Sequence, residues 1–125
     1  MSFDVLDHNS AYQAALRLMK DMDAALQFSR AERKAERGGE RAPEPQYLLD
    51  RVLAAAQDIA RAESCRASEC RTQYLIAARE NVFACLPILD RIRDMGILVE
   101  KENSQFREDL AALERAVAAC LTDAF

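Results

Sequence analysis

The side chains able to do chemistry in this chain are few and widely scattered. Its one histidine, His8, sits in the N-terminal tail ahead of any helical pattern, with no second imidazole to share a metal. Four cysteines, Cys65, Cys70, Cys85 and Cys120, have no histidine to draw off a proton, which a cysteine nucleophile needs. The step from Cys65 to Cys70 matches no zinc pattern, since those patterns pair Cys-x-x-Cys with further Cys or His. Cys85 and Cys120 fall on apolar stripes and no secretion signal is present, so reduced thiols are expected. Arg66 and Arg71, adjacent to Cys65 and Cys70, make a redox-sensitive pair the alternative.

The close carboxylates, Asp21 with Asp23, Asp90 with Asp94 and Glu100 with Glu102, read as solvated charges on polar faces rather than an acid–base pair. The Glu-x-x-His pairs of di-metal bundles are absent, because no predicted helix carries a histidine. The expectation is a protein without catalytic residues, cofactor or metal. What remains is a basic segment, Arg30, Arg33, Lys34, Arg37 and Arg41, interleaved with Glu32, Glu36 and Glu40. It reads either as a solvated helix extension or as a set of nucleic-acid contacts. A formal net charge of -4 argues against general polyanion binding by the whole chain.

These residues must be positioned by helices. Tyr12, Ala15, Met19, Met22 and Leu26 recur at helical spacing and predict a helix over about 10–29, capped by Asn9 or Ser10 and fraying through Arg37. Gly38, Gly39, Pro43 and Pro45 concentrate the breaking power of the chain in a loop over about 37–44. Leu49, Val52, Ala56 and Ile59 predict a second helix over about 45–64, with Pro45 in its first turn. Leu75, Ala78, Val82, Cys85, Leu89 and Ile92 predict a third over about 70–95, kinked near Pro87 and closed by Gly96. Phe106, Leu110, Leu113, Val117 and Cys120 predict a fourth over about 102–122.

A chain of 125 residues with four such stripes specifies one all-α domain, an antiparallel up-down-up-down four-helix bundle. No run of 18 apolar residues and no basic-then-apolar leader is present, so neither a membrane span nor a signal peptide is expected, and the cytoplasm is the default location. Ile76 and Phe83 lie seven apart on a face turned away from the Leu75, Val82 and Leu89 stripe, and are expected to be exposed as a subunit contact. Phe3, Val5 and Leu6 are expected to form an arm that docks on a neighbour.

Three segments carry a resemblance: Tyr74 to Asn81, Asp94-Met95-Gly96-Ile97-Leu98, and Leu110 to Val117. Together they resemble the last two helices of a small bacterial four-helix-bundle family that includes the 23S rRNA intervening-sequence proteins and the accessory variability proteins of diversity-generating retroelements. Phe28-Ser29-Arg30-Ala31-Glu32-Arg33 is similar to the segment after that family's first helix, with Ser29 in place of its Pro, and Ala54 to Ala60 is similar to its second helix. The resemblance implies a cyclic homo-oligomer, a pentamer, that serves as a non-enzymatic scaffold or binding module. It also implies the alternative of a nucleic-acid-binding accessory protein acting through a basic surface of the ring. Five copies of the Arg30 to Arg41 segment would amplify a weak patch through multivalency.

Overall fold

The computed structural model describes the backbone of residues 4–37 and 42–123, and these are helical with short connections. A short helix α1 (Asp4–Asp7) precedes four long ones, α2 (Ser10–Arg37), α3 (Glu44–Ser64), α4 (Ser68–Asp94) and α5 (Glu100–Asp123). Among the described residues there is no strand, and no helix is long and apolar enough to cross a membrane. Each long helix packs against two others, α2 on α3, α3 on α4, α4 on α5 and α5 back on α2, so the apolar stripes close around one core.

The local chemistry at each helix end explains where it stops. Asn9 caps α2, its Oδ1 accepting from the Tyr12 amide at 2.8 Å, and its Nδ2 reaches Glu63 at the far end of α3 at 2.6 Å. Pro45 lies in the first turn of α3, where its missing N–H has no intrahelical partner to lose. Gly96, at φ 70°, closes α4: its amide donates to the Arg93 carbonyl and that of Ile97 to the Ile92 carbonyl. Ile92 and Ile97 are both buried, which supplies the apolar contact that accompanies this paired-bond cap. A Cβ on Gly96 would meet nothing within 4 Å, so only backbone conformation opposes a side chain there. Gly96→Ala is accordingly expected to lower stability by about 1–2 kcal/mol, read from the urea midpoint, and a loss near zero would show that the left-handed turn is not required.

Several expectations need correction. Helix α2 continues to Arg37 rather than fraying after 29, although no apolar stripe supports its last turns. Among its described side chains the buried ones are Ala11, Ala15, Leu18, Met22 and Leu26, while Tyr12 and Met19, predicted for the core, are only half-buried. Helix α5 starts at Glu100, ahead of the predicted 102. As expected, helix α4 continues through Pro87 without stopping, and Pro87 is exposed. The carbonyl four residues before it therefore loses its donor on the side of the helix open to water. The residues ahead of α2 form α1, which packs on α2 and α3; Leu6 is half-buried there, Val5 is exposed, and Phe3 lies outside the described residues.

Candidate functional site

Three places hold the polar and exposed apolar groups that a function would draw on. The first is the outer face of α4. Ile76 and Phe83 are 45% and 46% exposed, well above the fully buried Ala78, Cys85, Leu89 and Ile92 of the same helix. The guanidinium carbon of Arg79 lies 5.2 Å from the centre of the Phe83 ring, within range of a cation–π contact. Arg79 is held there by Glu114 of α5, with Nε 2.9 Å from Oε1. Beneath Phe83 runs a groove of about 150 Å³ between α4 and α5, floored by Val82, Leu86, Leu110 and Ala111 and bounded by Arg107 and Glu114. Arg107 pairs with Asp90, which also lies 3.7 Å from Arg93. Asp90, read from sequence as a solvated acid, thus joins α4 to α5.

The second place is the end of the molecule where α3 turns into α4. A cleft of about 220 Å³ is lined by Asn9, Ile59, Glu63, Arg71, Cys120 and Asp123, among others. Cys65 and Cys70 beside it form a disulfide, with Cα atoms 5.9 Å apart. This overturns the expectation of reduced thiols throughout. The reason is local: the turn between Ser64 and Ser68 folds the chain back so that residues five apart come within bridging distance. Arg71 braces the turn by donating from Nη2 to the Cys65 carbonyl at 3.3 Å.

Cys85 and Cys120 are free. Burial pushes the Cys85 thiol up to about 12, with only partial relief from Arg51, and its sulfur donates to the Asn81 carbonyl at 3.3 Å. The Cys120 thiol is also raised, first by burial and then by Glu63 and Asp123. Cys120 is half-buried at the cleft rather than inside the apolar core. His8 is exposed, and among the described residues no three His, Cys, Asp or Glu side chains gather as metal ligands would.

The third place is the basic segment. Arg30, Arg33, Lys34 and Arg37 lie on helical backbone of α2, but their side chains lie outside what the structure describes, as does Arg41 altogether. The helical register puts positions 30, 33, 34 and 37 on one face, with position 32 nearly opposite and position 36 beside position 33 at its edge.

Sequence reasoning missed a polar chain across α3 and α4. Asp58, 8% exposed, accepts from Asn81 Nδ2 at 2.9 Å, and Asn81 Oδ1 accepts from Arg51 Nη1 at 3.2 Å. Arg61 adds a looser contact to Asp58 at 3.4 Å. Asn103 was missed as well. It is buried in the first turns of α5 and donates from Nδ2 to the Leu89 carbonyl at 3.0 Å. The only advance signal for either was position, since Asp58 and Asn103 each adjoin a stripe residue or sit one turn from one.

These features define an all-helical domain with exposed apolar side chains on α4 (Ile76, Phe83) and α3 (Tyr47, Leu53), a cleft beside a disulfide, and no cluster of metal-ligand side chains among the described residues. Compared with known proteins, the chain matches no family model, no curated protein and no solved structure.

Proposed function

We propose that this chain is a non-enzymatic scaffold or binding module, an antiparallel up-down-up-down four-helix bundle that self-associates into a cytoplasmic ring, pentameric by the resemblance described above. The observation that carries this reading is the pair Ile76 and Phe83, aligned and exposed on α4 above an apolar groove. Two large apolar side chains on one face, over a groove with further apolar lining, are what a subunit contact presents. A ring follows where that face meets a different surface of the next subunit, whereas a self-complementary contact stops at a dimer. Sedimentation equilibrium tests the reading. The native chain should sediment as a closed oligomer, and Ile76→Asp with Phe83→Asp should reduce it to monomer while leaving helical content unchanged. A native monomer refutes the ring, and an intact oligomer in the double variant refutes this interface.

A second reading, nucleic-acid binding, draws support from the continuation of α2 to Arg37, which gathers the basic positions 30, 33, 34 and 37 along one face, with the acidic position 36 at its edge. Binding through that face should weaken steeply with salt, and neutralising Arg33, Lys34 and Arg37 should flatten the dependence. No retained duplex or single strand at low salt would dispose of it.

A further inference from the structure

The disulfide at the α3–α4 turn stands between two helix ends of opposite polarity. Cys65 is the C-cap of α3, at the end where carbonyls point outward, and its amide bonds back to the Ala62 carbonyl. Cys70 is the third residue of α4, at the end where amides point outward. The residue before α4 is Ala67, which has no side chain able to cap those amides. A negative charge on Cys70 is therefore stabilised by the α4 N-terminus, and one on Cys65 is opposed by the α3 C-terminus. The charged neighbours are Arg66, Arg71, Glu63 and Glu69 in the turn and Asp123 of α5 across the cleft, and the Arg71 guanidinium is held at the Cys65 carbonyl. The helix ends oppose that placement of Arg71, and the assignment of the leaving sulfur rests on the helix ends. Both cysteines are half-exposed, and every residue from Arg66 to Glu69 is exposed, so an external thiol can approach.

We propose that Cys65–Cys70 is a thiol–disulfide exchange site for low-molecular-weight thiols, with Cys65 receiving the incoming sulfur and Cys70 leaving. An external thiolate attacks Sγ of Cys65 and forms a new sulfur–sulfur bond there. The Cys65–Cys70 bond breaks, and its electron pair departs on Sγ of Cys70 as a thiolate held at the α4 N-terminus. A second external thiolate then attacks the bound external sulfur, which releases the external disulfide and a Cys65 thiolate. In sum, two thiols are oxidised to one disulfide and the protein disulfide is reduced to two thiols. The direction of the first attack follows from leaving-group preference, because the sulfur with the lower thiol pKa departs faster. Cys85 takes no part, being buried with its sulfur against the Asn81 carbonyl. Opening the bond frees the turn that Arg71 braces at the cleft, which couples the redox state to the shape of that end of the molecule.

The test uses the full chain. After equilibration with oxidised glutathione, alkylation under denaturing conditions should add two groups, on Cys85 and Cys120; four groups would overturn the proposal. The oxidised protein is then exposed briefly to reduced glutathione, quenched in acid and mapped by peptide mass, with the glutathione expected on Cys65. Finally, the reduced native protein is alkylated with iodoacetamide at pH 7, where Cys70 should react at least about fivefold faster than Cys65. Glutathione found mainly on Cys70, or equal or reversed alkylation rates, would overturn the assignment. The Cys65→Ser variant provides the check on position: Cys70 should keep its fast rate there, and a fall to the rate of an ordinary exposed thiol would remove the helix-end explanation.

Discussion

Replacing Leu89 with alanine is expected to lower the free energy of unfolding by about 2–5 kcal/mol, a large share of the whole for a domain of this size. Leu89 is fully buried on the inner stripe of α4 between Cys85 and Ile92. Its own carbonyl accepts the Asn103 amide, which ties α5 to α4 at this level. Such a site collapses poorly once the side chain is removed, because the neighbouring amide is held by the backbone and cannot slide in. The Asn103 Oδ1 has no partner among the described residues, so the new cavity would adjoin an unsatisfied polar atom. The loss should fall in the upper half of the range. Urea unfolding would register it as a lower midpoint at unchanged slope. The control is on the same helix: Ile76→Ala and Phe83→Ala, measured below the concentration at which the chain associates, should each change stability by less than about 1 kcal/mol. If the exposed pair proved costlier than Leu89, the inner and outer faces of α4 would have to be exchanged.

The second large effect is expected from Asp58→Ala, at about 1–3 kcal/mol, most of it a penalty on what is left behind. Removing the carboxylate strands the Asn81 amide, which donates to Asp58 and accepts from Arg51 in a single chain of hydrogen bonds. The Arg61 contact adds little, since its side chain is more than half exposed and the separation is 3.4 Å. The diagnostic quantity is the coupling between Asp58→Ala and Asn81→Ala. Two members of one network should couple by about 0.5–3 kcal/mol, whereas independent sites add to within a few tenths. Additive losses would reduce the polar chain between α3 and α4 to two unrelated surface contacts. Asp58→Asn keeps an acceptor for Asn81, so it should recover part of the loss.

Much of the fold was legible because burial imposes a period. On α4 the predicted stripe and the buried set coincide, Leu75, Ala78, Val82, Cys85, Leu89 and Ile92. The same periodicity read α2 less well: its core also takes Ala11 and Leu18, and a wide apolar arc lets a neighbouring row stand in for the inner one. The last turns of α2 were missed because nothing there is spaced for a core. Good helix formers and alternating charges carry the backbone onward instead. The exposure of Ile76 and Phe83 was readable, as their positions fall outside the stripe. The disulfide was not, since a step of five residues between cysteines carries no bridging signal of its own and the closure depends on the path of the α3–α4 turn. Asp58 and Asn103 were invisible for a different reason: a polar residue joins a core only when a partner on another helix satisfies it, and a single sequence does not reveal such partners.

Arg79 gives the α4 face a dependence on ionic strength. The residue lies over Phe83 because Glu114 anchors it, and that anchor is a partly exposed ion pair. Added salt weakens the anchor and releases the guanidinium from the ring, while strengthening the drive to bury the apolar surface so uncovered. The proposed subunit contact through Ile76 and Phe83 should then tighten in the same titration. The Phe83 ring would be covered at low ionic strength and bare at high, with a single arginine acting as the shutter.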